Sequence, residues 1–488
     1  MSTTTEPSSK IGRYPSEAGS ATEKEAKGRD AANLEAGDVP LDVIAKLRIE
    51  EADHEIKYRT LSWQKAALLL FGEYVCLAIL ALSWSWSVLG WVAGFFVTFG
   101  MAIITWYTSY ILWQWCMRHP EARDICDIAR TLFPGKWGTL AFEFTAVMLL
   151  LNNIFLIGFH VFTGAKIFNT LSDSGACTVI FQVVTALLGI LVSLPRTLHH
   201  VSLMSIASAA SMAIAILLSL IFVGIEDHPG YGYGGNYPTL GEVTTSIGLP
   251  NGGPGFVAGF NAVLNITFLF IGQILYPSFI AEMKNPADFP KALAALTAME
   301  MVLFCVTAAV GYYYMGQYST APSIGSLSQP WARKSAFVFV LIPTVVIGGI
   351  YSNIAAKFVF NRILGKTRHA HSHSVLGWSS WIAIVVFIWV VAFILGNVIP
   401  SMGDFLSIMS AAFDSFFGFI YWAVAYYHMN RGKLWSSPLK STMTIINIFI
   451  FALGLFMLGP GLYTSVDAII ADYAGSIRKP FTCASNSL

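Results

Sequence analysis

From about residue 64 to about residue 466 the sequence is a succession of apolar runs. Each approaches or exceeds the roughly 20 residues that a helix needs to cross about 30 Å of hydrocarbon. Backbone groups in lipid must bond within their own segment, so continuous runs of this kind fold as a bundle of membrane-spanning helices. Eleven runs fit, at about 64–86, 88–115, 138–166, 177–194, 200–225, 255–280, 291–316, 335–360, 378–399, 403–427 and 443–466. Composition agrees: 12% of the 488 residues are charged, against about 25% in soluble chains, and 55% are hydrophobic. A net charge of +1 gives no basic field for nucleic acid. No nucleotide loop or credible catalytic triad appears, which argues against an enzyme.

Residues 1–60 are rich in Ser, Thr, Glu and Lys, too polar to offset their ordering entropy, and are expected to form a disordered cytoplasmic tail. The first thirty residues hold no apolar leader with a cleavage site, so the chain is expected to enter the membrane through its first span. Residues 61–466 form the expected helical domain, and 467–488 a C-terminal tail. With the N-terminus inside, the inner loops hold thirteen basic residues (Arg118, Arg123, Arg130, Lys136, Arg196, Lys284, Lys291, Arg362, Lys366, Arg368, Arg431, Lys433 and Lys440) and the outer loops only Arg333 and Lys334. Basic loops stay cytoplasmic, so this fixes the orientation and puts the C-terminal tail outside. Cys177 and Cys483 then lie on the oxidising face, where they pair as a disulfide or remain two free thiols.

Retained intramembrane charges are costly, about 2.5 to 3.5 kcal/mol each on insertion scales, and are functional candidates. Glu73, His160, Glu300 and Asp414 qualify, in spans one, three, seven and ten; the alternative is that each only bonds a neighbouring helix. Glu143 and Lys357 sit nearer span ends. Asn152, Asn153, Asn261, Asn265, Gln273, Ser352 and Asn353 add uncharged polarity that also serves as interhelical glue. Two spans are interrupted: span one at Gly72-Glu73, and span six by Gly272 and Pro277. If spans one to five and six to ten are inverted repeats, these positions correspond. Paired interrupted helices point to a transporter's midplane site. Their exposed N–H groups suit an anion and their C=O groups a cation, so a zwitterion such as an amino acid matches both.

At the end of span six the chain reads Glu282-Met283-Lys284-Asn285-Pro286-Ala287-Asp288-Phe289-Pro290-Lys291-Ala292. This resembles the signature of the amino acid/auxin permease family, and the resemblance runs from about Arg59 to the C-terminus. Leu61-Ser62-Trp63, Gly90-Trp91-Val92-Ala93-Gly94 and Lys479-Pro480-Phe481-Thr482-Cys483 support it. In detail the chain looks like the neutral amino acid permeases of filamentous fungi. The resemblance implies an all-α membrane fold of eleven helices, a five-plus-five inverted repeat with broken helices one and six plus one extra helix. It also implies proton-driven import of neutral aliphatic and aromatic amino acids across the plasma membrane. Transferred by position, the substrate site comprises Cys76, Leu77, Ala78 and Ile79 in helix one and Phe268, Phe270, Ile271 and Gly272 in helix six. Glu73 matches the acidic residue before the helix-one break.

Two departures stand out: Ala78 where the family usually has Gly, and Ser83 near its usual Pro, so helix one is expected to be more continuous here. Asp414 is unusual for the family. No cofactor is implied beyond a co-transported proton. Sodium coupling through helix-one carbonyls and Ser352 stays open, as does an amino acid sensor built on the same site. His369, His371 and His373 read as a solvated loop rather than a metal site, and the Asn265-Ile266-Thr267 sequon lies inside a span.

Overall fold

The computed structural model describes residues 61–488 except 123, 197–200, 227–240, 251–252, 366, 368, 370–373, 476–478 and 487–488. The tail expected over 1–60, and Arg123, Lys366, Arg368, His371 and His373, lie outside the described residues. The elements are α1 (Trp63–Tyr74), a 3₁₀ segment (Leu77–Ala81), α2 (Leu82–Arg118), α3 (Ile125–Leu132), α4 (Lys136–Leu171), α5 (Thr178–Ser193) and α6 (Val201–Ile225). They continue with α7 (Phe256–Phe268), α8 (Tyr276–Glu282), α9 (Phe289–Met315), α10 (Pro330–Leu364), α11 (Val375–Val398) and α12 (Met402–Met409). A π-helical segment (Ser410–Ile420), α13 (Tyr421–Met429), α14 (Pro438–Phe456), a second π segment (Met457–Gly461) and α15 (Leu462–Ala474) complete the chain. Ser62, Asp124, Ser374, Ser401 and Ser437 cap helix starts by accepting from a backbone N–H three residues on, the role that Ser and Asp fill best.

Eight helical stretches among the described residues are long and apolar enough to cross a membrane. They match expected spans two, three, five and seven to eleven. The other three fall short for two physical reasons. Spans one and six are interrupted near their middles, and span four, α5, is only 16 residues long. The last span also runs past 466, to Ala474, with a wide turn at Pro460, which has no N–H to continue the α pattern. α2 joins spans one and two without a loop; the two helices part at Gly90, whose backbone (φ 79°, ψ 172°) is open only to glycine. Segment 241–249 fills this corner: Trp91 and Val92 donate N–H bonds of 3.0 Å each to the carbonyls of Ser246 and Ile247.

Packing follows the repeat. Span one lies on span seven as span six lies on span two, span three on span nine as span eight on span four, and spans two and seven, and three and eight, pack on each other. Exchanging each span for the one five later reproduces these contacts. A core between α4, α5, α10 and α11 is built on Val161, Ala356, Trp381 and Trp389. The indoles of Trp381 and Trp389 donate to Leu194 O (2.9 Å) and Ser193 Oγ (3.1 Å). Large apolar side chains such as Phe96, Ile103, Leu187 and Val390 face outward, as lipid requires.

The two ends of the bundle differ. At one end Arg130 and Arg362 both lie over the Phe142 ring, 4.1 and 5.7 Å from its centroid, Arg362 pairs with Glu143, and Arg118 reaches Met429 O at 3.4 Å. At the other, Lys334 pairs with Asp173 at 2.6 Å. There Cys177 and Cys483 form a disulfide across 306 residues of sequence. The tail is also held by Thr178 Oγ1 donating to Ala484 O (2.8 Å), Asn169 Nδ2 donating to Asn486 Oδ1 (2.7 Å) and a Ser174–Ser485 hydroxyl bond of 2.5 Å. Non-reducing peptide mapping is expected to recover the 177–483 cross-link, and reducing conditions to lose it. Cys483→Ser is expected to expose the tail to proteases while changing uptake by less than about twofold, because the remaining hydrogen bonds there contribute only about 1 kcal/mol each.

Candidate functional site

The two interruptions are built from backbone geometry. α1 ends at Tyr74; Val75 (ψ 72°) and Cys76 (φ −119°, ψ 170°) leave the helix, and the chain resumes as a 3₁₀ turn. There Ile79 N donates to Cys76 O at 3.3 Å, and among the described residues no backbone carbonyl accepts from Leu77 N or Ala78 N. In span six, α7 ends at Phe268 and α8 begins at Tyr276. Among the described residues, no backbone N–H bonds the carbonyls of residues 269, 270 or 271 between them. The breaks therefore offer the N–H groups of Leu77 and Ala78 in span one and bare carbonyls in span six, the two halves of a zwitterion site.

Ala78 and Ser83 do not make helix one continuous, contrary to the expectation from their sequence. Ala78 sits in the 3₁₀ turn without a positive φ, so the break does not need glycine there. Ser83 lies past the break, in α2, where its hydroxyl donates to Thr307 O of α9 at 3.3 Å. The backbone has already left the helix at Val75 and Cys76, before Ala78 is reached.

The lining candidates divide. Leu77, Ala78 and Ile79 are buried, and Cys76 is half-buried. Phe270 is buried against Phe304 of α9 in an edge contact (5.1 Å between centroids), which commits its ring to helix packing. Ile271 reaches span ten: a Cβ at Gly418 in the first π segment would lie 2.4 Å from Ile271 Cδ1. Phe268 is half-buried. A Cβ at Gly272 would lie 2.0 Å from the Tyr74 hydroxyl, so span one's break passes directly over span six's.

The four ionisable candidates stand apart. Glu73 is half-buried, within electrostatic reach of Tyr351 of α10 and of Cys76. His160 is buried with Nδ1 unpartnered, its Cβ 3.3 Å from where a Cβ at Gly348 would be. Asp414 is buried in the first π segment with Oδ2 unpartnered, and the Ser410 hydroxyl in the same segment is unpartnered too. Glu300 is buried near the middle of α9 with Oε1 unpartnered, within electrostatic reach of Tyr74 and Tyr276. Of the uncharged polar residues, Asn353 donates to Pro195 O at 2.6 Å, Asn261 to Thr464 O at 3.2 Å and Gln273 to Thr108 Oγ1 at 3.3 Å, all interhelical ties. Ser352 Oγ and both amide atoms of Asn265 have no partner.

Reading polarity alone passed over Tyr74 and Tyr276. Their hydroxyls bond each other at 2.5 Å, although 202 residues separate them. The available signal was positional: each tyrosine borders one interruption, one beside Glu73 and the other beside Pro277. The two motif stretches also meet. Leu61 forms an isolated parallel bridge with Met283; Leu61 N donates to Glu282 O (3.1 Å), and Lys284 N to Leu61 O (2.8 Å).

Residues 59–465 match the family described as "Transmembrane amino acid transporter protein". The chain is 30% identical over 438 residues to the N amino acid transport system protein of Neurospora crassa, covering 89% of this chain and 91% of that one. It is 27% identical to a transmembrane transporter of Fusarium pseudograminearum, covering 94% and 95% respectively. Among solved structures it resembles Mhp1, a nucleobase-cation-symport-1 family transporter, with a TM-score of 0.51 at 14% identity, over 86% of this chain and 93% of that one, a likeness of fold alone. On this evidence the chain belongs to the transmembrane amino acid transporter family: it is a multi-pass membrane transporter, not an enzyme.

Proposed function

We propose that the protein imports neutral aliphatic and aromatic amino acids across the plasma membrane by proton symport. The observation that carries this reading is the pair of breaks, with the N–H groups of Leu77 and Ala78 and bare carbonyls at 269–271. The substrate carboxylate meets the former and its ammonium the latter, while Leu77, Phe268 and Ile271 provide an apolar surround for an uncharged side chain. The Neurospora crassa relative, named as an amino acid transport system, supports the substrate class. Transport proceeds by alternating access, with one bundle rocking against the other around the breaks. One of the intramembrane ionisable residues Glu73, His160, Glu300 and Asp414 carries the proton. One proton moving through about 100 mV contributes about 2.3 kcal/mol, enough for a roughly fiftyfold concentration ratio.

The arginine-rich end of the bundle supports a cytoplasmic N-terminus, and the disulfide end an extracellular C-terminal tail. Uptake of a panel of labelled amino acids into proteoliposomes, under a pH gradient, a sodium gradient or neither, is the test. Accumulation of Phe, Trp or Leu under the pH gradient alone is expected. Accumulation under sodium alone replaces the proton in this reading, and no uptake by folded protein replaces the transporter with a sensor.

A further inference from the structure

α5 and α11 pack antiparallel in a register fixed at two places. Gln182 Nε2 of α5 donates to Gly396 O of α11 at 3.0 Å, and a Cβ at Gly189 would lie 1.9 Å from the Trp389 ring. Both steps are seven residues, 182 to 189 and 396 to 389, so Ser193, the last residue of α5, lies level with Val385. The bond from the Trp381 indole to Leu194 O agrees. α11 reaches ten residues further, from Val385 back to Val375, about 15 Å at 1.5 Å per residue. α10 runs on as well: Ser193 Oγ donates to Gly349 O at 3.4 Å, and the helix continues fifteen residues past that glycine, to Leu364. Met204 of α6 meets Val192, Gly349 and Ile350 around one small hollow, so α6 departs from nearly the same level. The α5–α6 hairpin therefore stops short, and a notch opens beneath it between α10 and α11. Arg196 enters that notch, next to Pro195, whose carbonyl Asn353 holds. Its guanidinium lies over the rings of Phe360 of α10 and Trp378 of α11, 4.6 and 5.6 Å from their centroids. We propose that the notch seats the phosphate of an anionic phospholipid, bound by Arg196.

A span shorter than the hydrocarbon is met by local thinning of the bilayer, which draws headgroups inward. α5 has 16 residues, about 24 Å against about 30 Å of hydrocarbon. The same register sets its first residue, Thr178, level with the close of α11 at Val398, so the whole shortfall falls at the Arg196 end. A cation at such a depth reaches for the headgroups. Stacking holds the guanidinium flat and directs its N–H groups outward in one plane, the geometry that grips two oxygens of one phosphate. Leu187 and Leu191 of α5 and Ile382 and Val386 of α11 are exposed and apolar, a surface for the acyl chains. On the orientation proposed above this is the cytoplasmic side, whose leaflet carries the anionic lipids. Phosphatidylcholine brings its own cation beside the phosphate, which competes with Arg196, so an anionic headgroup is the occupant that the charge selects.

Lipid binding is read without substrate, so its failure and a failure of the transport reading are separate results. The experiment takes full-length wild type, R196Q, W378L and K136Q, delipidated in detergent, and adds phosphatidylserine or phosphatidylcholine, following bound lipid by native mass spectrometry and the melting temperature. Wild type is expected to retain phosphatidylserine in preference to phosphatidylcholine and to melt higher with it. R196Q is expected to bind phosphatidylserine at least about tenfold more weakly, the worth of a hydrogen bond to a charged group. K136Q removes the same charge from the exposed start of α4, outside the notch, and is expected to lose less than about fivefold, as a charge near the surface does. W378L removes one of the two rings and is expected to lose about twofold to fivefold. If R196Q fails to fold, as judged by size-exclusion profile, phosphatidylserine binding unchanged in W378L overturns the proposal. R196Q binding like wild type, R196Q and K136Q losing equally, or equal retention of the two lipids by wild type also overturns it. Equal stabilisation by inorganic phosphate makes the notch a seat for a free anion and overturns the lipid.

Discussion

Gly272→Ala is expected to lower the initial rate of amino acid uptake by about fivefold to 150-fold, the range that overpacking by about 1 to 3 kcal/mol predicts if all of it falls on the transport barrier. The added Cβ would stand 2.0 Å from the Tyr74 hydroxyl and 2.6 Å from its Cζ. Tyr74 is buried and bonded to Tyr276, so its ring cannot turn aside without breaking the junction of α1 and α8. Folding is expected to suffer less than transport, since the long helices that make most of the bundle's contacts are untouched. A Tyr74→Phe background is expected not to rescue the variant, because removing the hydroxyl leaves the ring carbon still 2.6 Å away. Uptake rates, set beside thermal unfolding in detergent, check this; wild-type uptake by Gly272→Ala would show that the two breaks are not in contact during transport.

Gly90→Ala is expected to act on stability instead. Its φ of 79° with ψ of 172° lies where only glycine is at ease, worth about 1 to 3 kcal/mol. A Cβ there would also stand 2.0 Å from the Gly248 carbonyl oxygen, a backbone atom that cannot rotate away. Relief would require segment 241–249 to retreat, breaking the bonds from Trp91 and Val92 to Ser246 and Ile247. The expected total is about 3 to 5 kcal/mol, at the far end of what single substitutions do. It should be read as a fall in melting temperature and an increase in protease cutting near 241–249. An unchanged melting temperature would mean that this corner is loose in the membrane.

Much of the architecture is legible from apolar run length and from where Gly and Pro interrupt it. The repeat is legible too, because its two broken members carry their interruptions at corresponding places. Consequences of single substitutions are less so. Ala78 and Ser83 look like losses when compared with a family pattern, yet the turn at Cys76 is made by its own extended backbone and Ser83 finds a carbonyl on α9. Phe270, expected beside the substrate from its position in span six, also packs edge-on against Phe304 of α9, a contact that position alone does not reveal. The Tyr74–Tyr276 bond, the Leu61–Met283 bridge and the return of 241–249 to Gly90 are long-range contacts. No local periodicity encodes them, because each depends on how two distant helices are placed.

Cys483 follows the last described helix, and its partner Cys177 stands at the start of α5. The ribosome must therefore have delivered α15, and that helix must have reached its place, before these two sulfurs can meet. The cross-link is in this sense a receipt for finished assembly. On a non-reducing gel of cleaved protein, the ratio of linked to unlinked fragments counts completed molecules against stalled ones, which gives a purification of this transporter a quality measure that requires no substrate.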